Sequence, residues 1–398
     1  MDLEKQFGGI ELDTLKNKRY IIATHVFATG PAQDLEEFLR DRIKVDSLLF
    51  IGHPLFYQKG RKGSGYKYYE NGILIKEKYL PNWKINSNVA YLKDVIYSAY
   101  LVLTNNTKWD LFVGAGNPNA FVGILLRKIG KVKKVVFYTI DYVPQRFENK
   151  LLNNIYHWVD KYCVKNADQT WNLSSRMAEA REKQKGMKIS EYNRQITFPI
   201  GIWYNRIERL LFEEIEKHTL VFMGHLLEKQ GVQLVIEAIP DIIKEIPDFK
   251  FLIIGTGAYE NVLKRKVSEL KIGSYVDFTG FIESQIEIEK LLAKSACSVA
   301  LYNKEIDPWT YYTDPGKVKA YLAAGLPVIL TDVPQIARQI QEHNCGVVIE
   351  YEKNDLVKAI ISLIKDENLN KKYRKNAIDF AKQFDWNVMF YRYLDGII

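Results

Sequence analysis

The chain is poor in cysteine and has no long apolar run. Its three cysteines, Cys163, Cys297 and Cys345, are odd in number and widely spaced, which favours neither a disulfide framework nor a metal cluster. The longest apolar stretches, such as residues 95–104, are well short of the ~18 residues that span a bilayer. The polar, acid-containing start also lacks the layout of a secretory signal. We therefore expect a cytoplasmic protein without a transmembrane helix.

Two further features are missing from the sequence. It contains no Asp-x-Asp pair and no recognised nucleic-acid-binding motif. Acidic residues are also scarce in the first half, because residues 1–200 contain 31 lysines and arginines against 20 acidic residues, whereas the remainder contains 25 against 28. The excess gathers in residues 59–62, 127–134 and 181–188. The basic excess of this half predicts an anionic partner, either lipid headgroups on the inner face of a membrane or a phosphorylated acceptor. A solvated surface without a partner is the alternative. We do not expect a nucleic acid as a binding partner.

A chain of 398 residues is long enough for two domains. In both halves, short runs of branched apolar residues alternate with longer amphipathic stretches, as in α/β domains with parallel sheets. The predicted strands are 20–23, 47–51, 110–114, 134–139, 219–223, 251–254, 276–278, 297–301 and 327–330. The predicted helices are 32–40, 88–103, 120–129, 149–165, 231–246, 315–324 and 334–341. Asn71-Gly72 predicts a tight hairpin turn, and a linker at 198–202 places the domain boundary near residue 205.

Glycines follow the predicted strands of the second half at positions 224, 255, 257 and 280. Ligands bind at the carboxyl edge of a parallel sheet, so each glycine either lets a ligand approach the backbone or permits a tight turn. The segment Gly255-Thr-Gly257 lacks the third glycine of the dinucleotide fingerprint, which argues against a dehydrogenase-like site.

A second candidate lies at Pro315-Gly316-Lys317, which predicts the start of a helix. A helix N-terminus offers unpaired amides and the positive end of a dipole to phosphate oxygens, and Lys317 would add a full charge beside them. The sequence therefore predicts a diphosphate site here. A capped helix with a solvated lysine is the alternative.

Four segments of the second half, residues 222–232, 253–257, 276–281 and 317–328, follow one another in a familiar order. They resemble the donor-domain pattern of family 4-like (group 1) glycosyltransferases and, more loosely, membrane-associated bacterial polysaccharide glycosyltransferases. The resemblance covers residues 219–350, while the first half is similar only in layout and in the loop 29–32.

This resemblance implies an α/β fold of the GT-B class, with two Rossmann-like doubly wound domains facing across a cleft. It implies an acceptor-binding domain over residues 1–204, a nucleotide-sugar donor-binding domain over 205–380, and a helix within 381–398 that crosses back to the first domain. Gly224 and Lys229 would lie near the diphosphate. The nucleotide base of the donor would lie near Gly257, Phe281 and Ile282. The residues implied near the phosphates and the sugar are Tyr312, Thr313, Asp314, Pro315, Gly316 and Lys317.

The sequence also departs from the family pattern. Tyr312 and Ala320 stand where the family usually has two glutamates eight positions apart. His225 replaces an arginine after the first strand, and Gln230 stands where a lysine is usual, so that the lysine is displaced to Lys229. We therefore expect the contacts to the donor to be rearranged.

On the acceptor side, Asp141 ends a predicted strand and is the first candidate for a general base, since a partly buried carboxylate there could take the proton of an acceptor hydroxyl. Capping of the next helix, or pairing with Arg146, is the alternative. His25, at the end of the first strand, is the rival base, although a single histidine is more often structural. Arg146 and Gly30 are expected on the acceptor side.

These observations predict a glycosyltransferase, of hexoses in particular, that moves a sugar from a nucleotide-diphosphate sugar to a hydroxyl of a saccharide or lipid-linked acceptor in polysaccharide or glycolipid synthesis. No cofactor or metal is expected, since Lys317, Lys229 and helix-end amides would stabilise the leaving diphosphate. A non-catalytic nucleotide- or glycan-binding protein, motivated by Tyr312 and Ala320, and a nucleotide-sugar epimerase are the alternatives. The donor base and sugar, the acceptor, the oligomeric state and the stereochemical outcome do not follow from these residues.

Overall fold

The alternating pattern of the sequence forms two separate sheets. The computed structural model describes residues 13–26, 30–54, 63–81, 87–188, 192, 194–306 and 309–398. The chain divides into unit 1, which comprises residues up to Pro199 together with Trp386–Ile398, and unit 2, which comprises Ile200–Asp385. The division lies close to the boundary expected near residue 205.

In the described residues, the sheet of unit 1 has eight strands in the order β4-β3-β2-β1-β5-β6-β7-β8. The strands are β1 (Arg19–Val26), β2 (Ser47–Pro54), β3 (Gly65–Glu70), β4 (Ile73–Tyr79), β5 (Trp109–Ala115), β6 (Val132–Thr139), β7 (Gln169–Asn172) and β8 (Gln195–Thr197). All pairs are parallel except β2 with β3 and β3 with β4. The β3–β4 pair is the predicted hairpin, whose turn residues Asn71 and Gly72 both have positive φ angles, of 48° and 83°.

The helices predicted over 32–40, 88–103, 120–129 and 149–165 are all found in unit 1, where their apolar residues cover the sheet, and two further helices, at 13–16 and 175–185, lie outside the predictions. The helices are α1 (Asp13–Lys16), α2 (Pro31–Glu37), α3 (Ser87–Leu103), α4 (Asn117–Lys128), α5 (Lys150–Asn166) and α6 (Ser175–Lys185). The helix predicted over 32–40 ends at Glu37 and continues as a wider π-turn over Phe38–Ile43. Helix α4 packs against both α3 and α5, and the core between sheet and helices contains Phe112, Ile124 and Phe137.

The sheet of unit 2 has six described strands in the order β11-β10-β9-β12-β13-β14, all of them parallel. The strands are β9 (Glu216–Met223), β10 (Lys250–Ile254), β11 (Val276–Gly280), β12 (Ser295–Ala300), β13 (Val328–Thr331) and β14 (Gly346–Ile349). The helices are α7 (Val232–Glu245), α8 (Glu260–Glu269), α9 (Gln285–Lys294), α10 (Gly316–Ala323), α11 (Ile336–Glu342), α12 (Lys353–Lys365) and α13 (Glu367–Ala381). This is the doubly wound sheet that the sequence predicts.

The last helix, α14 (Trp386–Asp395), belongs to unit 1 although it follows unit 2 in the chain. Its Phe390 ring lies 5.4 Å from that of Phe38 and 5.6 Å from that of Phe198. Trp386 stacks on Phe390, with the ring centroids 4.5 Å apart. The aromatic pattern near the end of the sequence thus fills the interior of unit 1.

Candidate functional site

The loop after β9 brings Gly224 against Lys317 at the carboxyl edge of unit 2. Gly224 has a φ of +146°, and a Cβ atom added to it would lie 2.8 Å from Lys317 Nζ. Any side chain here would therefore displace the ammonium group. A Cβ at Gly257 would lie 2.2 Å from the carbonyl oxygen of Leu226, so that glycine is required for close packing of the two loops.

Lys317 lies in the first turn of α10, as predicted, and its side chain contacts neutral groups. Its Nζ donates a hydrogen bond of 2.6 Å to Gln230 Oε1 and lies 4.3 Å from the ring centroid of Phe222 and 5.9 Å from that of Tyr302. No carboxylate in the described part of the chain forms an ion pair with it. Burial lowers the pKa of Lys317 to about 7. A partly buried cation without a counter-charge, beside helix-end amides, suits an anion.

Asp314, expected near the phosphates, has both carboxylate oxygens occupied within unit 2. Oδ2 accepts a 2.7 Å hydrogen bond from the backbone N–H of Ile200, and Oδ1 pairs with the buried Lys319. Burial lowers the pKa of Lys319, and Asp314 opposes this shift. Asp314 therefore holds the start of α10 in place.

The neighbours of Asp314 share this ordered loop. Thr313 Oγ1 donates to the carbonyl of Thr310, and Pro315 precedes the first residue of α10. A Cβ at Gly316 would lie 3.2 Å from Ile200. The half-buried Tyr312 meets Tyr311 edge to face. The loop thus presents Lys317 from a fixed backbone.

The remaining donor-side predictions lie in two other loops of the same edge. Lys229 is half-buried in the short turn Glu228–Gln230, while Phe281 is exposed and Ile282 half-buried after β11. Gln230, which sequence reasoning did not assign to the site, is the residue of this turn that contacts Lys317. Its position, where the family pattern has a lysine, was the available signal.

Unit 1 contains a cavity of about 480 Å³ at the carboxyl edge of its own sheet. Its walls come from the ends of β1, β5 and β6 and from helices α3, α4 and α5, and they are mostly apolar and aromatic. His25, Asp141 and Arg146 all line it, so both base candidates and the predicted arginine meet in one place. Gly30 lies outside this lining, before the first turn of α2.

A buried carboxylate, Asp94 of α3, stands behind His25. Asp94 Oδ2 lies 3.6 Å from His25 Nε2, and Oδ1 lies 3.2 Å from Nδ1 of the buried His53. Oδ1 also accepts hydrogen bonds from Ser64 at 2.8 Å and pairs with Lys93 at 2.7 Å. The arrangement is possible because His25 and His53 are register partners at the ends of β1 and β2.

The electrostatics of this cluster favour an ionised Asp94. Burial alone would raise the pKa of Asp94, but hydrogen bonds from His25, His53 and Lys93 lower it below its ordinary value. Burial lowers the pKa of His53, whose Nε2 lies 2.8 Å from Ser98 Oγ. A carboxylate facing Nε2 of His25 favours the tautomer with its proton on that nitrogen, which leaves Nδ1 as the acceptor nitrogen, 3.5 Å from Asn119 Nδ2.

Asp141 has a different environment. Its side chain is 47% exposed and forms an ion pair with Arg146, which is the alternative that the sequence left open. Burial alone would lower the pKa of Arg146, but Asp141 and the nearby Tyr156 and Tyr91 together raise it above its ordinary value, so this guanidinium stays charged. The pair presents one cationic and one anionic group at the cavity.

Two observations limit the chemistry of the described residues. No group of three His, Cys, Asp or Glu side chains among them could hold a metal ion. Within the same described ranges, none of the helices has the length and apolar character needed to cross a bilayer.

Known proteins resemble this chain in sequence, and one family model matches most of unit 2. Residues 206–380 match the model of a family described as glycosyl transferases group 1. An uncharacterized glycosyltransferase of Methanocaldococcus jannaschii is 27% identical over 185 residues, which cover 46% of this chain and 49% of that protein. Alpha-monoglucosyldiacylglycerol synthase of Streptococcus pneumoniae is 29% identical over 191 residues, which cover 45% and 39%. The chain thus spans half or less of the length of these relatives.

The resemblance to solved structures extends over nearly the whole chain. HepE of Anabaena, solved in complex with UDP, superimposes with a TM-score of 0.69 and covers 96% of this chain and 99% of its own. The two sequences are 15% identical, so this likeness shows the fold alone.

Proposed function

Residues 206–380 form a group 1 glycosyltransferase domain within a GT-B fold, and we propose that the chain moves a sugar from a nucleotide-diphosphate sugar to a hydroxyl of a saccharide or lipid-linked acceptor. The observation that carries this proposal is the pairing of Gly224 with Lys317. The missing side chain of Gly224 leaves room beside a lysine whose pKa burial has lowered to about 7. A diphosphate bound there would restore the full charge of Lys317.

In the proposed reaction, the bond between the anomeric carbon and the diphosphate oxygen breaks, and a bond to the acceptor oxygen forms. Negative charge develops on the departing diphosphate, where Lys317 and the amides at the start of α10 would stabilise it. Unit 2 would therefore supply the electrostatic part of catalysis without a metal ion. The acceptor hydroxyl must lose one proton during the same step.

We propose that His25, rather than Asp141, accepts that proton. His25 lines the cavity with its Nε2 toward the ionised Asp94, and its Nδ1, which lies 3.5 Å from Asn119 Nδ2, would take the proton in exchange for that contact, with Asp94 stabilising the resulting imidazolium. The 3.6 Å separation is long for a hydrogen bond, as is common before substrate binds. Asp141 is paired with Arg146, and this pair would orient the acceptor.

The apolar walls of the cavity favour an acceptor with a large apolar part. Apolar and aromatic side chains dominate the lining, while few polar groups are available to bind a long saccharide. The Streptococcus pneumoniae relative is named as a glycolipid synthase, which is consistent with such an acceptor. We therefore propose a lipid-linked acceptor and a peripheral position on an anionic membrane surface.

The test begins with thermal-shift measurements against UDP, GDP and ADP, followed by transfer assays with sugars of the preferred nucleotide. We expect one nucleotide to stabilise the protein and its sugar derivative to be consumed with a glycolipid acceptor. Tight nucleotide binding without turnover on lipid or saccharide acceptors would instead establish a non-catalytic binding protein. Interconversion of the donor sugar without an acceptor would establish an epimerase.

A further inference from the structure

Helix α3 carries an exposed apolar stripe that the proposed chemistry does not use. Val89, Leu92, Ile96, Tyr100 and Leu103 recur every three or four residues, and each is at least 45% exposed. Residues at this spacing lie on one side of a helix. The opposite side of α3 holds the buried Asp94, Ser98 and Val102. The helix therefore presents apolar side chains to solvent and keeps polar ones, Asp94 and Ser98, on its buried side.

The stripe continues over the two neighbouring helices. Leu125 of α4, Ile129 just after it, and Leu151, Ile155 and Trp158 of α5 are also exposed, by 43% to 68%. Because α4 packs between α3 and α5, these residues form one surface, which we call the α3–α5 face. Soluble proteins rarely expose so many large apolar residues together unless the surface meets a partner or a membrane.

The charges on these helices identify the kind of partner. The only acidic residues of α3, α4 and α5 are Asp94 and Asp160, and both are buried. The exposed charged residues are all lysines, at positions 128, 150, 161 and 165. A second copy of the same face would bring like charges together, whereas anionic lipid headgroups would pair with them. Tyr100 and Trp158 are side chains that favour the interface between headgroups and acyl chains.

We propose that the α3–α5 face docks onto the surface of an anionic lipid membrane, with its apolar side chains among the acyl chains and its lysines at the headgroups. The face would thereby be the main contact with the membrane, and it includes Lys128 of the predicted cluster at 127–134. Arg181 is fully buried against Asp160, Arg127 pairs with Asp168 and Lys133 pairs with Asp110. The cluster at 59–62 lies outside the described residues.

Docking in this way would connect the cavity of unit 1 with the membrane. Leu92, Ile155 and Trp158 are exposed on the α3–α5 face and also line the cavity. An apolar chain could therefore pass from the membrane into the cavity without crossing water. This second step rests on the proposed function, whereas the docking itself does not.

The experiment is sedimentation of the full chain with vesicles, measured for wild type and for the double variant Ile96→Ser/Leu151→Ser. Both residues lie on the face but outside the cavity lining. Leu211→Ser/Ile286→Ser in unit 2 is the matched control, because its side chains are 68% and 66% exposed. We expect wild type and control to bind vesicles made of an equimolar mixture of phosphatidylglycerol and phosphatidylcholine. The double variant should bind these vesicles at least about tenfold more weakly.

Three results would overturn the proposal. In the first, wild-type protein stays in the supernatant with both anionic and neutral vesicles. In the second, the double variant binds as well as the control. A wild-type dimer that the double variant dissociates would instead make the face a contact between copies. Because vesicle binding needs no sugar transfer, loss of docking with turnover retained on a water-soluble acceptor would separate this proposal from the proposed function.

Discussion

The candidate sites of the two units are built from different parts of the polypeptide. In unit 2 the candidate site consists mainly of backbone, where Gly224 and Gly257 leave room for other groups and the first turn of α10 presents its amides beside a single lysine. In unit 1 it consists of side chains, which bring Asp94, His53 and His25 together from a helix and two strands. A backbone site leaves a local pattern in the sequence, and a side-chain site does not.

The contrast matches a difference between the two proposed ligands. A diphosphate presents the same oxygens whichever sugar it carries, so glycines and a helix N-terminus suffice. An acceptor is recognised by the shape and polarity of a cavity, which many side-chain combinations provide. A variant in one unit should leave the candidate site of the other unit intact, and this expectation tests the contrast.

The largest effect is expected from Asp160→Asn, which leaves the fully buried Arg181 without its carboxylate. Arg181 donates bonds of 2.7 and 2.9 Å to Asp160, and removal of one partner of such a pair destabilises by about 3 to 5 kcal/mol. Urea unfolding followed by intrinsic fluorescence should show the loss, while calorimetry with nucleotide should show that unit 2 still binds.

Asp46→Asn is the control for this change, because Asp46 and Arg19 form an exposed pair in the same unit. Such pairs contribute about 0 to 1 kcal/mol. Equal destabilisation by both variants, or loss of nucleotide binding together with the stability of unit 1, would contradict the independence of the two units.

His25→Ala, which removes the proposed general base, is expected to lower turnover by about 100-fold or more. Asp94→Asn should reduce turnover in the same direction, because it removes the charge behind the imidazole. Steady-state transfer assays measure both, and calorimetry should show unchanged affinity for the nucleotide. His218→Ala, an exposed histidine of unit 2, is the control.

Asp141→Asn decides between the two base candidates. If Asp141 is the base, its loss should reduce turnover by about 100-fold or more with the nucleotide affinity unchanged, and His25→Ala should then have the smaller effect. If it only pairs with Arg146, the Michaelis constant for the acceptor should rise instead. Retained turnover in both variants would assign the proton to the departing diphosphate.

Lys317→Ala is expected to weaken the binding of nucleoside diphosphate by about 1.5 to 3 kcal/mol, the usual value of a charged hydrogen bond. The apolar cavity of unit 1 should be unaffected, so vesicle binding serves as the second readout. Lys304→Ala, an exposed lysine after β12, is the control. An affinity that does not change in calorimetry would remove Lys317 from the site.

The smallest effect concerns pH. Because burial lowers the pKa of Lys317 to about 7, the free protein carries its charge below that pH and loses it above. A nucleotide-diphosphate sugar should bind the charged form, so its affinity should fall by about tenfold between pH 7 and 8.5. Titration calorimetry at several pH values tests this, and Lys317→Arg should abolish the dependence. A flat profile in wild type would contradict it.

The sequence predicted where Lys317 and Gly224 lie in the fold better than it predicted the cluster around Asp94, and the reason is physical. Lys317 and Gly224 lie within short segments whose strand and helix patterns place them at one sheet edge, and the structure has them in contact. Gln230 was recognisable as a departure from the pattern, but its contact with Lys317 depends on the side-chain conformation.

Asp94 could not be predicted from its surroundings, since an acidic residue in an amphipathic helix is ordinarily assigned to the solvent side. His25 and His53 did leave a signal, because each follows an apolar strand by a similar distance, and neighbouring parallel strands end at the same edge. Asp141 was predicted at the end of a strand, whereas its pairing with Arg146 required the path of the loop.

The position of α14 has a consequence for how the protein is made. Unit 2 is one continuous stretch, and residues 386–398 are synthesised only after all of it. Unit 1 must wait for Trp386 and Phe390 to reach Phe38 and Phe198. During that interval the aromatic interior of unit 1 lacks its last layer and exposes apolar surface, which is the state that chaperones bind. The unit that begins translation first is therefore the one that finishes folding last.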